Sequence, residues 1–75
     1  MGISKEEVKG KIIEFLQSRG VYSVDVGNQV LVDFGLGSIT LIELGQILEG
    51  AYDKEISFEE FSTKTVDELA ESISS

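Results

Sequence analysis

Cysteine, histidine, proline and tryptophan are all missing from this 75-residue chain, and the first two absences remove whole classes of chemistry. Without Cys there is no disulfide framework and no thiol nucleophile, and without Cys or His there is no zinc staple. The lack of His also excludes an imidazole base, a Ser-His-Asp triad and His-based metal sites. What remains for acid–base work is surface carboxylates, and a chain this short with no cofactor motif makes a poor catalytic pocket, so an enzyme is not expected. Zero Cys is compatible with a reducing compartment. No apolar run reaches the roughly 18 residues of a membrane span, and the start Met1-Gly2-Ile3-Ser4-Lys5-Glu6 lacks a signal-peptide core. That start resembles a myristoylation signal except that Glu6 stands where Ser or Thr is required. A cytoplasmic protein with no membrane span is the expectation.

Basic residues are also scarce: six Lys and Arg stand against fourteen Asp and Glu, for a net charge of −8. Counted along the sequence, residues 1–38 carry five acids and four bases, whereas residues 39–75 carry nine acids and two bases. Such a field repels nucleic-acid phosphate and favours partners with basic patches. Hydrophobic residues make up 41%, enough for one modest core but not for two. The expectation is a single domain over residues 1–75, held by helix packing alone.

Three long periodic segments carry the fold. The first starts after Ser4, which with Glu7 spells a Ser-x-x-Glu capping box. It continues through Val8, Ile12, Phe15 and Leu16 and stops at Gly20. The second spans residues 38–52, with Leu41, Leu44, Leu48, Ala51 and Tyr52 on one face and Ile47 beside them. The last follows the capping box Thr65-Val66-Asp67-Glu68 and presents Val66, Leu69, Ala70 and Ile73. Between the second and last, residues 57–61 suit a short helical turn, with Ile56, Phe58 and Phe61 available to plug the core. Residues 21–34 are less regular. Val24, Val26, Val30 and Val32 alternate around Gly27-Asn28 as in a hairpin, but no further strand exists to build a sheet, which favours a long loop across the helices. The sum is an all-α fold, a monomeric antiparallel four-helix bundle with one short helix. Phe15, Leu16, Leu44, Leu48, Phe61, Leu69 and Ile73 should lie inside it.

The segment Asp33-Phe34-Gly35-Leu36-Gly37-Ser38-Ile39-Thr40-Leu41-Ile42-Glu43-Leu44 is the informative one. Two glycines let the backbone turn sharply and come close to a bulky partner, and they deliver Ser38 to a helix start, where free N–H groups and the helix dipole favour a phosphate. Taken alone, Ser38 would read as an ordinary N-cap. The segment resembles the phosphopantetheine attachment motif of acyl and peptidyl carrier proteins. The resemblance continues through Leu48-Glu49, Tyr52-Asp53 and Glu55-Ile56 and covers nearly the whole chain. It implies a fold like that of acyl carrier proteins and 4′-phosphopantetheine bound covalently to Ser38, flanked by Gly37 and Ile39. It also implies a phosphopantetheinyl transferase and acyl-transferring or synthase enzymes as partners, meeting Asp33, Leu36, Ile42, Glu43, Glu49 and Ile56. One departure stands out: the residue before the attachment serine is usually Asp in the family, and here it is Gly37.

Two other classes compete with this reading. Residues 53–61 resemble the end of an EF-hand loop, but that register puts Ala51 at a ligand position and Lys54 where glycine is needed for the turn. An unmodified acidic helical adaptor has the same composition as a carrier and is separated from it only by whether Ser38 is modified.

Overall fold

Ser4 takes extended backbone and its hydroxyl accepts the Glu7 N–H at 3.0 Å, which starts helix α1 (Lys5–Ser18) where the sequence places it. The computed structural model describes residues 3–22 and 25–75. Ser23, Val24 and the Met1-Gly2 start lie outside the described residues. Only half of the expected capping box at Ser4 forms: the hydroxyl takes the Glu7 N–H, but the Glu7 carboxylate makes no return bond to Ser4 among the described residues. At the far end Gly20 adopts φ 83°, a left-handed geometry that suits glycine. The Val21 N–H then reaches back to the Leu16 carbonyl at 2.9 Å and the Gly20 N–H to Gln17 at 3.0 Å, closing α1 as a Schellman turn.

Helix α2 (Ser38–Tyr52), the short α3 (Glu60–Thr63) and α4 (Val66–Ser74) complete the bundle. The Thr65 capping box forms in full: Thr65 Oγ1 accepts the Glu68 N–H at 3.2 Å, and the Glu68 carboxylate accepts the Thr65 N–H at 2.9 Å. The architecture is all-α as expected, and the Cα radius of gyration of 11.1 Å matches the roughly 11 Å of a compact chain of this length. All seven expected core residues are buried, joined by Val8, Ile12, Leu31, Leu41, Tyr52, Val66 and Ala70. At roughly 1.5–3 kcal/mol for each large aliphatic or aromatic side chain, this cluster supplies the main stabilisation.

Two sequence expectations need correction. On α2 the buried stripe is Leu41, Leu44, Gly45, Leu48 and Tyr52, while Ala51 is exposed and Ile47 is 45% exposed. Residues 57–61 do form the expected helical turn: the Glu60 N–H bonds the Ser57 carbonyl and the Phe61 N–H the Phe58 carbonyl, both at 3.0 Å, the Glu60 carboxylate accepts the Ser57 N–H at 3.0 Å, and the turn runs on into α3 at Glu60–Thr63. Phe58 stays 45% exposed, meeting Phe61 edge-on at 6.4 Å.

The stretch from 25 to 34 is a loop with two 3₁₀ turns, Val26–Asn28 and Leu31–Phe34, and no strand occurs among the described residues. Its backbone pairs with the entry to α4 rather than with itself. The Val66 N–H donates to the Gln29 carbonyl at 3.0 Å, and Val30 forms an isolated bridge with Thr65. Gly27 is pressed against the Asp67 carboxylate, where a Cβ would come within 2.5 Å. Asp67 in turn pairs with Lys9 at 2.9 Å, a contact that lowers the carboxyl pKa and raises that of the amine. Loop, α1 and α4 are thereby tied together.

Among the described residues one core atom is unsatisfied. Tyr52 is buried and its hydroxyl has no hydrogen-bond partner in good geometry, while burial first and the nearby Glu7 charge second raise its pKa above 10.0. Tyr52→Phe is therefore expected to be neutral or stabilising by about 1 kcal/mol at pH 7 in urea unfolding. The folded phenol holds its proton longer than the unfolded one. That contribution is present below the unfolded value and is lost as pH rises through the raised one, so the variant should lose less stability than wild type above pH 10. A clear loss at pH 7 would mean that the hydroxyl is bonded after all.

Candidate functional site

The second 3₁₀ turn buries Leu31 and packs Phe34 partly on the core, leaving Asp33 exposed, and Gly35 closes it at φ 75°. Leu36, expected to face partners, is partly buried against the core. Gly37 then runs extended (φ −71°, ψ 161°) as the N-cap of α2, and Ser38 is the first helical residue. The plain reading of Ser38 as an N-cap is thus replaced: the cap position belongs to Gly37, which has no side chain to offer. Among the described residues no side chain accepts from the N–H groups of the first turn of α2, and no acid stands in that turn. This helix start has neither a side-chain cap nor an acid, the reverse of α1 and α4.

The serine hydroxyls differ in one respect. Ser4, Ser18, Ser57, Ser62, Ser72, Ser74 and Ser75 each make a hydrogen bond through the side chain. Among the described serines Ser38 alone is exposed at the start of a long helix with a hydroxyl that makes none. Next to it on α2, Ile39 is 75% exposed and Ile42 49%.

Ile42 lies one helical turn beyond Ser38 on the same side of α2, and there it enters a groove of about 210 Å³ lined by Gly45, Glu49, Ile56, Phe58 and Phe61. Gly45 lies in its floor, where a Cβ would meet the Phe61 ring at 3.4 Å, an ordinary contact. Glu49 is tied within the fold, its carboxylate accepting the Ile56 N–H at 2.9 Å. Glu43 is also engaged, by Arg19 at 2.6 Å. The predicted residues therefore divide into Gly37, Ser38, Ile39 and Ile42 at the helix start, Ile42, Glu49 and Ile56 along the groove, and Glu43 in an ion pair. Gly45 and Arg19 are not singled out by the sequence, and Phe61 is marked there only as core. A glycine inside a helix, about 1 kcal/mol worse there than alanine, is the available signal for Gly45.

Residues 49–60 are not a cation loop, because α2 continues through Tyr52 and Glu60 bonds Lys64 and the Ser57 N–H. No cluster able to hold a metal ion occurs among the described residues. No helix among them is long and apolar enough to cross a membrane.

The family described as phosphopantetheine attachment site matches residues 10–73. The chain belongs to this family. No curated protein and no solved structure matches the chain. Phosphopantetheine attachment domains are non-catalytic carriers that hold 4′-phosphopantetheine covalently on a serine. The residues fit that group: an exposed hydroxyl without a partner, open approach at Gly37, where a Cβ would meet nothing within 4 Å, and a first turn whose N–H groups lack a side-chain acceptor. A phosphodiester bound there would meet the positive end of the α2 dipole.

The same geometry makes Gly37→Asp informative. The site has room for the side chain and an ordinary φ, and a carboxylate at this cap accepts from the first turn and complements the dipole. The variant should gain about 0.5–1 kcal/mol in urea unfolding. It should also be labelled by a broad-specificity transferase at least as well as wild type. Unchanged or reduced stability would show that the N–H groups at this helix start are already satisfied.

Proposed function

We propose that Ser38 carries the phosphopantetheine arm and that the chain, folded as a monomeric single domain over residues 1–75, is a cytoplasmic acyl carrier protein. The observation that carries this reading is the Ser38 hydroxyl, exposed, free of hydrogen bonds and set on an uncapped helix start inside a family match. The arm supplies a terminal thiol that holds acyl groups as thioesters. The chain's own residues do the rest. Gly37 and Ile39 flank the arm, and Asp33, Leu36, Ile42, Glu43, Glu49 and Ile56 form the surface that partners meet. The groove beyond Ile42, lined by both apolar (Ile56, Phe58, Phe61) and polar (Gln46, Glu49) side chains, lies next to the helix face that carries the arm. The partners are a phosphopantetheinyl transferase and acyl-transferring or synthase enzymes with basic patches, in fatty acid, polyketide or another specialised acyl synthesis. The acidity of the chain disfavours nucleic acid.

Intact mass spectrometry of the protein made in its natural host tests this directly. Attachment adds roughly 340 Da on one serine, mapped by fragmentation to Ser38. The bare mass under conditions where a transferase is present would instead support the unmodified adaptor.

A further inference from the structure

Glu43 is one of only two acids on α2, and it does not face solvent as a bare charge. Arg19, the C-terminal cap residue of α1, places its guanidinium 2.6 Å from the Glu43 carboxylate and 5.1 Å above the centre of the Phe15 ring. Phe15 is buried, so the platform under Arg19 is rigid. The end of α1 also favours a cation through the helix dipole. Three attractions therefore hold Arg19 in place, while both side chains keep close to half their surface in water. A partner reaching this point on α2 meets a neutral pair beside the exposed apolar Ile39 and Ile42.

We propose that Arg19 is a specificity-determining residue: it occupies Glu43 from within, so that a partner presenting Arg or Lys to this point must displace it, and docking is shifted from charge towards contact with Ile39 and Ile42. This rests on the carrier reading of Ser38 and names how that carrier discriminates among basic partners. The competition is local. It depends on the pair rather than on net charge, and it weakens as salt screens the two exposed groups.

The probe is a broad-specificity phosphopantetheinyl transferase with coenzyme A, with KM and kcat measured for each carrier variant at low and high salt. Arg19→Gln should lower KM about threefold at low salt, the scale of an exposed ion pair, and leave kcat unchanged. The gain should vanish at about 1 M salt, where the Debye length is about 3 Å, and in the Arg19→Gln, Glu43→Gln double variant. Lys5→Gln removes the same charge about 20 Å away along α1 and should move KM less. Arg19→Lys, which keeps the charge but not the planar stack, should fall between wild type and Arg19→Gln and covers the case in which Arg19→Gln folds poorly. An unchanged or raised KM, a gain that survives without Glu43, or an equal effect from Lys5→Gln would overturn the proposal while labelling of Ser38 leaves the carrier reading standing. Failure of every variant to be labelled would overturn both.

Discussion

Ser38→Ala is expected to abolish loading by coenzyme A and a transferase while leaving the fold in place. The side chain is exposed and makes no hydrogen bond, and Gly37 rather than Ser38 is the cap of α2, so the substitution removes no interaction that holds the bundle together. Alanine is also the better helix former at an exposed helical position. The urea midpoint should therefore correspond to a stability within about 0.5 kcal/mol of wild type, against complete loss of the mass increment. Ser57→Ala and Ser62→Ala serve as controls. Their hydroxyls sit in the turn around α3 and bond the Glu59 N–H and carbonyl respectively, and both variants should load normally. A Ser38→Ala protein that still accepts the arm would move the attachment point elsewhere and end the assignment.

How much of this was legible in the sequence depends on the range of the interaction concerned. Helix starts are local, and Ser4 and Thr65 announced α1 and α4 because a hydroxyl three residues before an acid can close a bond within one turn. Even so, the first box closes only halfway, with the Ser4 hydroxyl bonded and the Glu7 carboxylate not. The alternation of Val26, Val30 and Val32 looks like a hairpin because periodicity cannot say what a strand would pair with. The loop instead lies against the start of α4, where Gly27 fits under Asp67 and Gln29 bonds Val66. Asp33, Gly37, Ser38, Ile39 and Ile42 are readable because they fall in one contiguous stretch. The division of labour among the acids is not visible there. Glu43 and Glu49 both fall off the apolar stripe, yet one is held by Arg19 and the other by the Ile56 N–H, and both partners come from outside α2. Ala51 misleads for a simpler reason: a small apolar side chain is tolerated at the margin of a buried stripe, and hydropathy alone does not mark where the stripe ends.

Phe61→Ala should be the most damaging single truncation in the chain. Phe61 is the one buried residue of α3 and is 1% exposed, with its ring against Gly45 on α2 and edge-on to Phe58. A four-residue helix cannot hold itself in water, so α3 stays in place because this ring is inserted. Removing it forfeits the transfer energy of the ring and opens a cavity between α3 and α2, at a cost of about 3–5 kcal/mol. A domain of 75 residues stands near the low end of the usual range of about 5–15 kcal/mol, so most of the stability would go. The alternative to global unfolding is local: α3 lifts away and the groove beyond Ile42 loses its wall. Helical circular dichroism with urea separates the two, since global loss moves the whole transition whereas local release leaves α1, α2 and α4 melting together at a modestly lower midpoint. Phe58→Ala, on the half-exposed ring, should cost no more than about 1 kcal/mol, and Phe61→Leu, which keeps most of the volume, should fall between. If Phe61→Ala cost less than Phe58→Ala, α3 would not be anchored through the buried ring, and the groove beyond Ile42 would need another wall.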